Sequence, residues 1–380
     1  MAGRPDILIL GGGIAGASLG AELAICGAAV TLLEAEERPG HHSTGRSAAH
    51  FIESYGPPAV RAFSRFTRPF LETPPEEIAP ESLLRRRPIV WIARPEDKAT
   101  LDALVAAESA LAPLPVEEIA RRVPILRPEM IAAATIEETA ADIDVDRLHQ
   151  GYLRRLRHHG GTIVMKARAG AVARRDGLWR VETTAGLFEA PILVNAAGAW
   201  AAEIGRMAGL PPVALTPLRR SAALLPAPDD PGFADWPLVG DMGERYYFKP
   251  ESGKLLVSPA DETPVDPHDA FVDDMDLAEG LDRFAQATTY PLERVERSWA
   301  GLRSFANDRV PLVGYDRAEG GTGFFWFAGQ GGYGIQTSHG MAVNAAALIQ
   351  GRPVPEALAT LGLKGGDLDP RRAMPAGLAH

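Results

Sequence analysis

Apolar residues along this chain fall into short unbroken runs and one-sided stripes. Ile7 to Leu10, entered from Asp6, is a run of strand length. Gly11-Gly12-Gly13-Ile14-Ala15-Gly16 follows at once, and Ala17 to Cys26 then carries small residues on one side, as a closely packed helix does. Ala29 to Leu33 is a second strand, and the polar, small-residue stretch from Ala35 to His50 reads as a functional loop running into a helix. Further on, the pattern predicts a strand at Pro88 to Ala93, an amphipathic helix from Glu96 to Ala112, and a helix opened by Asp144 or Asp146 and ended by Gly160-Gly161. Thr162 to Lys166 is a third strand of the first sheet. Ala171 to Ala173 and Leu178 to Thr183, joined through Asp176-Gly177, form a hairpin, and Ala190 to Val194 is a buried strand. Leu215 to Leu225, Tyr246 to Lys249 and Leu255 to Ser258 read as one antiparallel sheet crossed by a helix at Asp276 to Thr288. Phe324 to Ala328 leads into a second glycine turn, Gly329 to Thr337, which opens a helix to Ile349.

Strand, tight turn and helix in immediate succession carry a specific chemistry. Gly11, Gly13 and Gly16 have G-x-G-x-x-G spacing: the first permits the turn, the second lets backbone approach a pyrophosphate, and the third lets the helix lie close on the strand. The helix N-terminus offers unpaired N–H groups to phosphate. Glu34 ends the second strand, 18 residues beyond Gly16, where a carboxylate accepts both hydroxyls of an adenosine ribose. The second turn holds four glycines in six positions, Gly329 to Gly334. Such a turn aims a helix N-terminus at the electron-rich edge of an isoalloxazine, which separates a flavoprotein from a plain nicotinamide enzyme.

Composition narrows the classes. At 380 residues the chain is long enough for two or three domains. A net charge of −10 argues against a nucleic-acid partner, and the runs Arg85-Arg86-Arg87 and Arg154-Arg155 with Arg157 read as solvated faces. The single cysteine, Cys26, excludes internal disulfides, reads as small core filling in the first helix and fits a reducing cytoplasm. No apolar run reaches the roughly 18 residues of a membrane span, and Asp6 and Glu22 argue against a signal peptide. His41, His42 and His50, and the pair His158-His159, lack helical ligand spacing and a nearby third ligand, so no metal is expected. Asp142-x-Asp144-x-Asp146 lacks the glycine and distal glutamate of a calcium loop and reads as helix capping.

The dinucleotide turn, Glu34 and Ser43-Thr44-Gly45-Arg46-Ser47-Ala48-Ala49-His50 together resemble the D-amino-acid oxidase-like flavoproteins, and within them the D-amino-acid and D-arginine dehydrogenases. The resemblance extends over nearly the whole chain. It implies an α/β fold: a Rossmann-type FAD-binding domain of the glutathione-reductase-like kind (1–86, 143–214, 305–362) and a substrate domain on an antiparallel sheet (87–142, 215–304). A loosely held tail (363–380) follows. Pro74-Pro75, Pro113 to Pro115 and Pro211-Pro212 mark changes between them. FAD, held non-covalently, is expected against Gly11, Gly13, Ile14, Ala15, Gly16, Glu34, Ala35, Thr44, Arg46, Ser47, Ala48, Ala49, Ala169, Ala197, Gly198, Trp200 and Gly301. Its flavin end is expected against Gly331, Gly332, Tyr333, Gly334, Ile335, Gln336 and Thr337.

The implied reaction is oxidation of a D-amino acid: hydride passes from Cα to flavin N5, and the imino acid hydrolyses to a 2-oxo acid and ammonia. Arg220 and Arg303 match a carboxylate clamp, suited to the planar fork of a guanidinium. Tyr55 and Tyr247 match cavity-lining tyrosines, His50 a histidine near the substrate amine, and the Gly332 carbonyl an acceptor for that amine. Arginine-preferring relatives carry an acid where this chain has Ile89. With Met242, Ile89 predicts an apolar side-chain pocket, while Glu53 and Glu244 are loop acids able to restore a cation preference. The partners implied are a small amino acid and an electron acceptor: a quinone, another carrier or oxygen. Oxidation of glycine or an N-methyl amino acid, of a 2-hydroxy acid, and a flavin-bound assembly subunit without turnover stay as alternatives.

Overall fold

The computed structural model describes residues 4–374. Its first sheet has six strands with β1 (Ile7–Leu10) near the middle. β2 (Val30–Leu33) and β9 (Thr162–Val164) lie to one side of β1 and β13 (Ile192–Asn195) and β21 (Phe324–Ala328) to the other, all parallel, and β20 (Leu312–Tyr315) is an antiparallel edge. Because helices or strands cover both faces, β1 and β21 are apolar at every position, and β2 and β13 depart from this only at Thr31 and Asn195. Ile7 and Ile9 face α1 (Ile14–Ile25), α2 (Pro58–Glu72), α5 (Val145–His158) and α8 (Ser338–Ile349). Leu8 and Leu10, on the other face, join a core beneath β10 (Ala169–Arg175), β11 (Leu178–Thr183) and β12 (Gly186–Ala190), with α6 (Ala201–Met207).

The second large sheet has nine strands. β14 (Leu215–Leu225) pairs along its whole length with β19 (Arg297–Ala306) and is flanked by β17 (Lys254–Ser258) and β18 (Thr263–Pro264). From β17 the order runs through β16 (Tyr247–Glu251), β15 (Leu238–Asp241), β5 (Ile89–Ala93) and β7 (Ala133–Glu137) to β6 (Ala112–Leu114). β5 and β15 run parallel, so the sheet is mixed rather than wholly antiparallel. α7 (Asp274–Ala287) lays Leu277, Leu281 and Phe284 on Phe248 and Val257. α3 (Lys98–Ala107) and α4 (Val116–Arg122) lie at the β6–β7 end. The helix expected through Ala112 stops at Ala107, because Ala112 is taken by the edge strand β6.

A small sheet joins the two halves: β3 (His50–Phe51), β8 (Ala141–Ile143) and β4 (Leu84–Arg86). The loop before His50 therefore leads into a strand rather than a helix, and α2 begins only at Pro58. Asp144 caps α5 by accepting from Arg147 N at 3.0 Å, as the aspartate pattern predicts.

Three local expectations change. Arg87 is buried, with Nε 2.6 Å from Asp142 Oδ2, because pairing of β4 with β8 turns it inward while Arg86 stays exposed. Cys26 is exposed, since it caps α1 instead of lying within it. Residues 363–374 are not loosely held. After α9 (Glu356–Thr360) the chain buries Leu363, Leu368 and Ala373, and the Leu368 and Ala373 carbonyls accept from Val313 N at 2.9 Å and Ala214 N at 2.7 Å. The rest of the expected tail, 375–380, lies outside the described residues. No helix among the described residues is long and apolar enough to cross a membrane.

Candidate active site

A cavity of about 390 Å³ opens at the carboxyl ends of β1, β2 and β13 and runs to the β14–β19 pair. Gly11 makes the turn at its head: φ is +109°, and a Cβ there would lie 2.4 Å from the Ala196 carbonyl oxygen. The turn is braced on every side. Gly12 N donates to Glu34 Oε2 at 2.8 Å, Ile14 N to Thr44 Oγ1 at 3.0 Å, and the buried His149 Nε2 to the Gly12 carbonyl at 2.8 Å. Burial lowers the pKa of His149, which keeps that ring neutral. Glu34 has its other oxygen 2.8 Å from Glu36 N, so its carboxylate is already oriented at the cavity wall.

Most residues expected at FAD line this cavity: Gly11, Gly13, Ile14, Ala15, Glu34, Ala35, Thr44, Arg46, Ser47, Ala48, Ala169, Ala197, Gly198, Trp200, Gly301, Gly331, Gly332, Gly334 and Ile335. Five do not. Gly16 is packed under the turn, where a Cβ would sit 1.9 Å from the Gly11 carbonyl oxygen. Tyr333 is buried against Tyr55 and Phe305. Thr337 is buried and returns its hydroxyl to the Tyr333 carbonyl at 2.9 Å. Gln336 clasps the backbone of Ile52, accepting from its N–H at 3.1 Å and donating to its carbonyl at 3.0 Å. Ala49, at φ +52°, lines a second cavity instead, as Gln336 also does.

The glycine turn itself behaves differently from its expected role as a helix start. α8 begins only at Ser338, and residues 331–337 form a series of turns. Gly331 N is held by the Ser304 carbonyl and Tyr333 N by that of Gln330, whereas the N–H groups of Gly332, Gly334 and Ile335 have no acceptor among the described residues. Such a nest of backbone donors, with Glu34 and the α1 N-terminus at the opposite end, fits a long dinucleotide carrying an electron-rich ring.

The second cavity, about 100 Å³, adjoins the first; Ser47, Ala48, Arg220, Tyr247, Arg303, Gly332 and Ile335 line both. The Arg303 guanidinium makes no hydrogen bond or ion pair to any described residue, while its backbone lies in the β14–β19 ladder. Burial opposes its charge, but nearby Tyr247, Tyr55 and Glu262 outweigh this and raise its pKa. Arg220 is already engaged, with Nε 2.9 Å from the Asp261 carbonyl and Nη2 3.0 Å from Glu262 Oε1. The symmetrical two-arginine clamp thus becomes one free guanidinium beside one that Glu262 holds in place. Glu262 also pairs with Arg309.

Ile89, Ile52 and Leu238 form an apolar cluster against Tyr55, Trp91 and Tyr247. Met242 is absent from the cavity wall: its N–H continues the β15–β5 pairing onto Ile92, and the apolar lining beside Ile89 comes from Leu238 and Trp91. Glu244 reaches the wall, whereas Glu53 pairs with Arg65. His50 lines the cavity with Nδ1 3.2 Å from Asp142 Oδ1. Asp142, Lys249, His149 and Trp91 were not singled out from the sequence. Asp142 sits in the aspartate triplet, and its partners are about 55 to 107 residues away along the chain, which no local pattern records.

Among the described residues Asp269 comes within ligand distance of His41 and His42, and Glu77 of His158 and His159. The expectation that neither histidine set has a third ligand is corrected, because each acid arrives from a distant segment.

A buried glycine turn with its acid, a nest of backbone donors and a small cavity with a free guanidinium define a flavin-dependent oxidoreductase. The chain belongs to the family of FAD dependent oxidoreductases, which matches residues 6–348. It is similar to the mitochondrial dimethylglycine dehydrogenase of Mus musculus, with 29% identity over 145 residues, 38% of this chain and 17% of that one. The chain spans less than half the length of the curated relatives it matches. Among solved structures, glycine oxidase from Geobacillus kaustophilus superposes with a TM-score of 0.80 at 23% identity, covering 92% of this chain and 96% of that one. L-proline dehydrogenase from P. horikoshii superposes with a TM-score of 0.81 at 19% identity, covering 98% of each. These likenesses show the fold.

Proposed function

We propose that the protein oxidises the Cα–N bond of an α-amino acid of D configuration with a neutral, largely apolar side chain. The observation that carries this reading is Arg303: a guanidinium without a protein partner, between Tyr55 and Tyr247, where the two cavities meet. A buried cation with no hydrogen-bonded partner favours an anionic ligand, and its planar fork matches a carboxylate. Bound FAD supplies the two-electron oxidant. The chain's own residues do the rest: Arg303 and the tyrosines bind the carboxylate, His50 faces the amine, and the Ile89, Leu238 and Trp91 wall receives the side chain. The D configuration is supported by the Ser43 to His50 motif. Anaerobic flavin reduction, screened over D- and L-amino acids, their N-methyl forms and the decarboxylated amines, tests it. Reduction by amines as readily as by amino acids would refute the carboxylate reading.

A second reading, oxidation of glycine or an N-substituted glycine, is supported by the small second cavity and by the names glycine oxidase and dimethylglycine dehydrogenase. The same screen separates the two.

Side-chain preference gives one expected result. Ile89 is fully buried in an apolar wall, so a Leu-, Met- or Phe-like side chain gains about 1.5–3 kcal/mol on entering, while a cation loses hydration without a partner there. D-methionine, D-leucine and D-phenylalanine should exceed D-arginine and D-lysine in kcat/KM, and Ile89→Glu should shift the order toward the cations. Tenfold preference for D-arginine in the unaltered protein, with Glu244 as its acid, would reverse this conclusion.

FAD is expected to be held without a covalent bond, since Cys26 is exposed at the far end of α1. Acid precipitation should release the yellow colour into the supernatant. Colour retained in the pellet would instead implicate a histidine at the cavity wall, His42 or His50.

A further inference from the structure

Lys249 lies 1% exposed among the strands of the large sheet, an expensive place for an ammonium group. Its Nζ is 2.7 Å from Asp142 Oδ1 and 3.0 Å from Glu251 Oε2. Arg87 Nε takes the other Asp142 oxygen at 2.6 Å and spends Nη1 on the Trp236 carbonyl at 2.5 Å. His50 completes the cluster through Nδ1, 3.2 Å from Asp142 Oδ1. Its side chain is 4% exposed, and Nε2 is buried with no hydrogen-bond partner at the wall of the second cavity. Tyr247 and Lys249 are two apart on β16 and share a face, so the substrate-lining tyrosine and the buried lysine belong to one surface of the strand.

Lys249 and Arg87 can only donate, so Asp142 accepts from both and accepts from His50 as well. The hydrogen of a neutral imidazole then belongs on Nδ1, leaving the lone pair on Nε2. A third cation in the cluster would face two neighbouring positive charges. We propose that Lys249 and Arg87 are positioning residues that act through Asp142 to hold His50 as the neutral Nδ1–H tautomer, whose Nε2 accepts a hydrogen bond from the substrate amine. This rests on the reading of the second cavity as an amino-acid site.

Burial, with Lys249 and Arg87 adding to it against the pull of Asp142, lowers the His50 pKa to about 4. Asp142, despite burial, is held well below the usual carboxylate range by His50, Lys249 and Arg87. The other ionisable groups at this cavity are Arg220, Arg303, Tyr55, Tyr246, Tyr247 and two acids, Glu244 and an Asp241 already paired with Arg245. With so low a pKa His50 orients the amine and does not store its proton at neutral pH.

The test is ¹⁵N NMR of the histidine-labelled holoenzyme without substrate, with His50→Gln identifying the signal. A protonated Nδ1 and a bare, pyridine-type Nε2 are expected from pH 5 to 8. Lys249→Met should raise the His50 midpoint by about one pH unit or more, because a neighbouring cation is lost, and Lys249→Arg should restore it. The acid-side bend in log kcat/KM of whichever amino acid reduces the flavin should move with that midpoint. Imidazolium at pH 6, hydrogen on Nε2, or a midpoint unmoved in Lys249→Met would overturn the proposal. If Lys249→Met does not fold, the wild-type tautomer still decides. The NMR result is independent of turnover, so its failure is distinct from a failure to find an amino-acid substrate.

Discussion

Arg303→Met is expected to lower kcat/KM on the preferred amino acid by roughly 2–5 kcal/mol, a loss of about 30-fold to several-thousand-fold, the range for truncating one partner of a buried charge pair. The reason is specific to this site. Arg303 has no protein partner to surrender, so its removal costs the free protein little and the liganded one much. Arg220 is different: Glu262 and the Asp261 carbonyl already hold it. Arg220→Met therefore leaves Glu262 with only Arg309 and disturbs the wall as well as binding, and its kinetic loss should be the smaller of the two. Both variants should keep their FAD, which absorbance of the purified proteins reports. Near-normal kinetics in Arg303→Met, or equal losses on amino acids and on amines, would remove Arg303 from the carboxylate site.

Gly11→Ala should abolish FAD retention. The added Cβ would meet the Ala196 carbonyl oxygen at 2.4 Å, and φ of +109° is unfavourable for any side chain. Backbone strain of about 1–3 kcal/mol and an overpacking cost of similar size fall together on the turn that must approach the pyrophosphate. Gly27→Ala separates the two effects: its φ is +86° but nothing lies within 4 Å of the added atom. That variant should lose about 1 kcal/mol and keep its flavin. The flavin-to-protein absorbance ratio and the Tm of both variants check this. Full FAD content in Gly11→Ala would show that the turn can shift, contrary to its bracing by Glu34, Thr44 and His149.

The dinucleotide turn was legible because its determinants are consecutive. Ile7 to Leu10, the glycines and the following helix interact within one strand–turn–helix unit, and Glu34 ends the next strand, so spacing alone brings them together. The same holds for the Asp144 cap and the Asp176-Gly177 hairpin. Failures came where a local preference met a distant partner. Arg87 reads as one of three solvated arginines until β8 presents Asp142 to it, and Ala112 reads as helix until β7 pairs with it.

By itself the sequence therefore determined the dinucleotide turn and its acid, which follow from short-range periodicity and spacing, while the fold class, FAD and the polar residues expected at the site came with its resemblance to the flavoprotein family. Only the tertiary structure decided how those residues divide their work. Gln336 spends its amide on Ile52, Arg220 is spoken for by Glu262, and Arg303 is left free. His50 is held by an aspartate 92 residues away, which in turn pairs with a lysine from a third strand. Hydrogen-bonding capacity is finite and is shared among whatever groups the fold brings within about 3 Å. Which donors and acceptors remain for a ligand depends on long-range pairing that no window of sequence contains.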